Sequence, residues 1–292
     1  MSSNASLDRR QFLRAGAGAA LAAAAATLLP AAAIAEEDYS RLYALGQAVL
    51  VRSGAVSPRE LAEAAIRRIE RLNPVLNAVV ITDFERALER CDGPLPEGPF
   101  RGVPFLLKDL EEYKGVRYTS GSALFRDRVG RTTPELARRM EAAGLVVLGK
   151  TNTPEFGLLP CTEPKLFGPA RNPWDLSYDP GGSSGGAAVA VASGMVPMAQ
   201  GGDGGGSIRV PSSNCGLFGI KVSRGRQPEP SLTPGDLAVR HVLTRSVRDS
   251  VAMLQATALT PAEGSLLPPA VSPPGQPPRH LRIAYHTTDL YG

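Results

Sequence analysis

The 292-residue chain is 43% hydrophobic and 21% charged, and its 32 Lys and Arg against 28 Asp and Glu leave a net charge of +4. Those proportions belong to a soluble globular protein of one large or two small domains with a sizeable core. Basic residues are interspersed with acids instead of being gathered in a stripe, which excludes a nucleic-acid partner on electrostatic grounds. Cys91, Cys161 and Cys215 lie far apart with no CxxC or histidine-spaced neighbour, so they read as buried free thiols, not as a zinc site or a disulfide framework, with a single disulfide outside the cytoplasm as the alternative.

Residues 1–35 come first. Asp8-Arg9-Arg10-Gln11-Phe12-Leu13-Arg14 is a twin-arginine pattern, and an uncharged Ala-rich run from Ala15 to Ala35 follows it, ending in the small-x-small sequence Ala33-Ile34-Ala35. This reads as a twin-arginine (Tat) signal peptide cleaved before Glu36. A retained anchor helix is the alternative, but alanine and glycine are too weakly apolar for stable membrane insertion. The expected partner is the Tat translocase, and the expected location of the product is the periplasm or the medium. Residues 36–292 would form the remaining domain.

Ser57-Pro58-Arg59-Glu60 supplies an N-cap serine, proline at the first helical position and a glutamate completing a capping box. Leu61, Ala65, Ile69 and Leu72 follow at helical spacing and predict about four turns. Leu76 to Ile81, Val103 to Leu107 and Leu145 to Leu148 are short apolar runs that predict strands. Between the last two, Thr133-Pro134-Glu135 opens a helix that Gly144 closes, so strand, helix and strand alternate as in a layered α/β domain. Residues 223–240 and 260–279, rich in proline, glycine and serine, read as long surface loops. Leu281 to Tyr285 reads as one more strand.

The segment from Asp179 to Pro211 carries two glycine clusters, Gly181-Gly182-Ser183-Ser184-Gly185-Gly186 and Gly204-Gly205-Gly206-Ser207, separated by an Ala/Val stretch of helical character. Glycine lets backbone N–H groups approach a ligand closely. A flexible linker would not lie between apolar segments, a phosphate loop would continue into Gly-Lys-Ser/Thr, and a dinucleotide turn would follow a buried strand with GxGxxG spacing. None of these fits.

These clusters, with Gly-Gly-Gly-Ser-Ile-Arg-Val-Pro continuing to Lys221, resemble the amidase signature family. Further matches are Gly102-Val103-Pro104-Phe105-Leu106-Leu107-Lys108-Asp109, the run from Gly149 to Gly157, Arg171-Asn172-Pro173-Trp174-Asp175 and Leu243-Thr244-Arg245-Ser246-Val247-Arg248-Asp249, so the resemblance covers about residues 40–290. It implies the amidase signature fold, an α/β architecture with a mixed central β-sheet covered by helices on both faces. It also implies an amide-hydrolysing set in which Ser207 is the nucleophile, Ser183 a bridging serine held by a cis peptide with Ser184, and Lys108 the base. Lys108 and Ser183 are separated by 75 residues and Ser183 and Ser207 by 24, the intervals expected of the family.

The resemblance further implies an oxyanion hole from the backbone of Gly204, Gly205, Gly206 and Ser207, with no metal and no organic cofactor. Ser184 reads as a supporting loop serine, and Asp203 and Arg209 as a pair that stiffens the loop. Trp174 reads as packing, and Cys215 as chemically silent. Taken alone, Lys108 would be a surface lysine beside Asp109 or Glu111; the downstream motifs reverse that. As a base it must be neutral, which burial achieves by disfavouring the charged form.

Two departures stand out. Gly219-Ile220-Lys221-Val222 replaces the family's Gly-Leu-Lys-Pro, and family members continue well past Gly292, so a domain with its C-terminal part missing is expected. An inactive remnant that keeps the loop is the alternative from another class, and a tRNA-dependent amidotransferase subunit the alternative enzyme. The small-molecule amide substrate and the oligomeric state stay open.

Overall fold

In a computed structural model, residues 36–228 and 237–263 are described. The twin-arginine segment and the strand expected at Leu281 to Tyr285 lie outside the described residues, as does most of the loop expected over 260–279. Helices α1 (Glu36–Arg41) and α2 (Ala44–Arg52) lead into α3 (Pro58–Leu76), strand β1 (Val79–Thr82) and α4 (Phe84–Asp92). Next come β2 (Pro104–Lys108), α5 (Glu135–Ala142) and β3 (Val146–Thr151). They are followed by α6 (Gly185–Ala192), β4 (Met198–Asp203), α7 (Arg209–Asn214), β5 (Phe218–Gly219), β6 (Val239–Thr244) and α8 (Val247–Thr257).

The six strands form one mixed sheet in the order β1-β3-β2-β4-β6-β5. The central β3, β2 and β4 run parallel, while β1, β6 and β5 pair antiparallel to their neighbours. Alternation of side chains along each strand divides the core in two. Leu106, Val146, Leu148, Ala199 and Leu243 pack with Ile66, Ile69 and the α6 residues Ala187–Val191 on one face. Phe105, Leu107, Val147, Met198 and Val242 pack with Ala48, Leu136, Met140 and Met253 on the other. Helices therefore cover both faces, and the fold is the mixed-sheet α/β architecture.

The capping box at Ser57 forms as expected, with the Ser57 hydroxyl accepting from the Glu60 N–H and the Glu60 carboxylate accepting from the Ser57 N–H. The helix behind it is longer than the apolar spacing predicts, 19 residues, and takes in Leu76. The strand therefore begins at Val79 and not at Leu76. The stop is local: Asn77 adopts φ 48°, and Asn73 Oδ1 accepts the N–H groups of Ala78 and Val79. The region 223–240 is not loop throughout, since β6 starts at Val239 and pairs along its length with β4.

Helix α6 has no polar face because it has no solvent face; Gly185 through Val191 are all buried. Its glycines are there for proximity. A Cβ on Gly186 would stand 2.4 Å from the Asn152 nitrogen and 2.6 Å from the Ala78 carbonyl oxygen, so only glycine lets the helix start sit against β3 and β1. This contact seats the Ser183-Ser184 turn over the end of β2.

Candidate active site

Lys108 is the last residue of β2 and shares its parity with Leu106, so it faces the α6 side of the sheet. Its side chain is 1% exposed. Nζ donates to Ser183 Oγ at 2.7 Å and to Ser184 Oγ at 3.0 Å. It does not pair with Asp109 or Glu111. The Asp109 carboxylate instead accepts from the Thr119 N–H at 2.9 Å and from its hydroxyl. Burial lowers the Lys108 amine to about 7, the Arg240 guanidinium pushes it the same way, and Asp203 opposes both.

Ser183 enters α6 through a cis peptide bond, but that bond is Gly182–Ser183 and not the Ser183–Ser184 bond expected from the sequence. The N–H of the following peptide, that of Ser184, donates to the Ser207 carbonyl at 3.2 Å and so joins the two glycine clusters. Ser184 is fully buried; its Oγ donates to the Gly202 carbonyl at 3.3 Å and accepts the Gly202 N–H at 3.2 Å.

Ser207 follows β4, on a turn shaped by Gly206 at φ 142°. Lys108, Ser183, Gly204, Gly205, Gly206 and Ser207 all border one cavity of about 420 Å³. Among the described residues, no acceptor meets the N–H groups of residues 204–207, and Ser207 Oγ has no hydrogen-bond partner. A Cβ on Gly204 or Gly205 would meet nothing within 4 Å, so these glycines border open space. Four adjacent unsatisfied donors beside a cavity are a ready site for an oxygen carrying negative charge.

The loop is tied down from behind. Asp203 Oδ2 and Oδ1 accept from Arg209 Nε at 2.9 Å and Nη2 at 3.0 Å, and Oδ2 also accepts the backbone N–H groups of Ile208 and Arg209. Burial alone would raise the Asp203 carboxyl, but Arg209 and the two backbone donors together lower it. Lys221 Nζ donates to the Gly204 carbonyl at 2.5 Å, a contact that sequence reading missed although Lys221 stood inside a matched motif. Gln200, Glu111 and Arg240 were likewise missed. No local pattern marks them, because they meet only when β2, β4 and β6 are adjacent.

Trp174 lies outside the cavity and donates its Nε1–H to the Cys215 carbonyl at 2.9 Å. The Cys215 thiol is buried and pushed up to about 12 by burial. All three cysteines are free, but Cys161 is only half-buried, because it sits in the irregular segment beside Gly182 and not in the core. Among the described residues, no three His, Cys, Asp or Glu side chains gather as metal ligands.

A family model described as Amidase matches residues 60–292, and the chain belongs to that family. A curated relative, 6-aminohexanoate-cyclic-dimer hydrolase of Paenarthrobacter ureafaciens, is 46% identical over 219 residues, covering 72% of this chain and 44% of that protein. The acylamidase of Rhodococcus erythropolis is 38% identical over 228 residues, covering 75% and 48%. A solved structure of 6-aminohexanoate cyclic dimer hydrolase complexed with substrate superposes with a TM-score of 0.74 at 42% identity, covering 81% of this chain and 50% of that one. The chain thus spans about half the length of the relatives it matches.

Proposed function

We propose that this protein hydrolyses carboxylic amides, and esters by the same steps, through an acyl-enzyme on Ser207. The observation that carries this reading is a buried lysine amine 2.7 Å from Ser183 Oγ, in a cavity that Ser207 and four unsatisfied backbone donors also border. A serine hydroxyl is a weak nucleophile until a base takes its proton. As Ser207 Oγ attacks the substrate carbonyl carbon, its proton passes to Ser183 Oγ and the Ser183 proton passes to the neutral Lys108 amine.

The N–H groups of residues 204–207 hold the oxyanion that develops, each good donor contributing about 3 kcal/mol. Collapse of the tetrahedral intermediate breaks the C–N bond, and the Lys108 ammonium returns its proton through Ser183 to the departing amine. Water then attacks the acyl-enzyme by the same relay, releasing the acid and restoring Ser207. Leu110, Phe156, Leu158 and Leu159 form an apolar wall of the cavity and suit an aliphatic or aromatic group on one side of the amide. The test is labelling of the folded full chain by a serine-directed fluorophosphonate, expected at Ser207; a folded sample that stays unlabelled overturns the reading.

Lys221 has a supporting part, holding the Gly204 carbonyl so that the loop keeps its N–H groups toward the cavity. Lys221→Met is expected to lower kcat about 10- to 100-fold with KM little changed, as misplacing a reacting group costs. Lys221→Arg should recover part of the loss. A raised KM with kcat unchanged would assign Lys221 to binding instead.

We also propose export by the twin-arginine route, on the Arg9-Arg10 pattern and the alanine-rich run behind it. Replacing both arginines by lysine is expected to leave precursor in the cytoplasm, as fractionation and immunoblotting would reveal. Unchanged export would exclude the route.

A further inference from the structure

From Lys108 a polar chain runs along the cavity floor through Gln200, Glu111 and Arg240, three residues that the reaction steps above do not use. Glu111, 3% exposed, accepts from Arg240 Nε at 2.7 Å and from Gln200 Nε2 at 3.1 Å. Gln200 Oε1 in turn accepts the Lys108 backbone N–H at 2.8 Å. The path Lys108–Gln200–Glu111–Arg240 therefore crosses from β2 through β4 to β6. Arg240 borders the same cavity as Lys108, whereas Glu111 lies behind it and does not line the cavity. The guanidinium is always charged, and a fixed positive charge beside an amine disfavours that amine's protonated form.

Resting on the reading of Lys108 as the base, we propose that Arg240 is a positioning residue: pinned by Glu111 at the cavity floor, its charge keeps Lys108 unprotonated and sets the lower pH bound of activity. Every element packed around Lys108 enters this balance. From β4 comes Asp203, already held by Arg209 on α7, and the neutral Gln200. The turn after β2 brings Glu111, engaged by Arg240, and Asp109, engaged by Thr119. From β3 comes Lys150, whose Nζ donates to the Glu111 carbonyl. The start of α6 offers only the hydroxyls of Ser183 and Ser184. Arg240 is thus the cation of this set that faces the cavity alongside Lys108. It is also the charged neighbour with the largest downward pull on the Lys108 amine, second only to burial.

The test compares wild type, Arg240→Gln and Arg240→Lys by two readouts. One is the acid limb of the kcat/KM pH profile. The other is trace acetylation of Lys108 by acetic anhydride across pH, read by mass spectrometry, which needs no turnover. Arg240→Gln is expected to move both midpoints up by about 0.5–1 pH unit, as loss of a nearby like charge requires. Arg240→Lys, which keeps the charge, is expected to leave them near the wild-type position. A uniform loss of rate with an unmoved midpoint would overturn the proposal.

Should Arg240→Gln fail to fold, Glu111→Gln serves in its place. The amide oxygen still accepts from Gln200 and Arg240, but the guanidinium loses its counter-charge and both midpoints should move down; no movement, or movement up, overturns the proposal. If wild-type Lys108 shows no midpoint near neutrality by either readout, the base assignment fails and this proposal with it. A neutral wild-type midpoint that Arg240→Gln leaves in place removes this proposal alone.

Discussion

Ser207→Ala is expected to abolish fluorophosphonate labelling and to lower kcat for an amide substrate by on the order of 10⁴-fold or more, the scale seen when a serine hydrolase loses its nucleophile. The loss is chemical and not structural. Ser207 Oγ has no hydrogen-bond partner among the described residues, so alanine strands no donor or acceptor. The Ser207 carbonyl still accepts the Ser184 N–H, and the backbone donors of residues 204–207 remain. Stability should change by no more than about 0.5 kcal/mol, and substrate should still bind. Urea unfolding and kinetics on the same preparation check both halves. An alanine variant that keeps full activity would remove Ser207 from the mechanism.

Lys108→Met should separate activity from stability in opposite directions. Without the base, acylation is expected to fall by on the order of 10³-fold or more. In the wild type, kcat/KM should fall as pH drops through about 7, the value to which burial, with Arg240, lowers the amine, because protonation removes the base. The linkage runs the other way from that of a salt-bridged group. Above the ordinary lysine value of 10.5 both the folded and unfolded chains are neutral at this position, and the lysine costs nothing. As pH falls from there toward about 7, the unfolded chain takes up a proton that the folded chain refuses, and the cost grows by about 1.4 kcal/mol per unit. Below that range both states are protonated and the full cost, about 5 kcal/mol, persists.

Methionine fills a similar volume without a charge, although it leaves Ser183 and Ser184 without their lysine donor, which offsets about 1–2 kcal/mol. The net expectation is a gain of about 2–4 kcal/mol at neutral pH that shrinks as pH rises toward about 10. Denaturant unfolding at a neutral and an alkaline pH measures it. A variant less stable than wild type at neutral pH would mean that Lys108 is charged in the folded chain.

Local signals were legible where the physics is local. Ser57, Pro58 and Glu60 announce a helix start because capping acts over four residues, and the apolar runs at Phe105 and Val146 announce buried strands. The end of α3 was misread because Leu76 is apolar and fits either element, and the stop depends on the Asn73 side chain turning back on Ala78 and Val79 and on the left-handed backbone of Asn77. Strand β4 was unreadable. Met-Ala-Gln-Gly-Gly-Asp has no β-branched residue, and it is extended only because β2 and β6 hydrogen-bond to it on either side.

The family, the α/β alternation and the glycine clusters were legible in the chain because they rest on residue types at short fixed spacing. The sequence also identified Lys108, Ser183 and Ser207 as the residues to follow, through motifs that stay contiguous in the chain. Only the folded chain shows that Lys108 reaches both Ser183 and Ser184, that the cis bond precedes Ser183, and that Lys221 holds the Gly204 carbonyl. Only there do Glu111, Gln200 and Arg240 meet, at the cavity floor. The reason is distance along the chain: Lys108 and Gln200 are 92 residues apart in sequence and 2.8 Å apart in space, and no periodicity in one strand encodes which strand lies beside it.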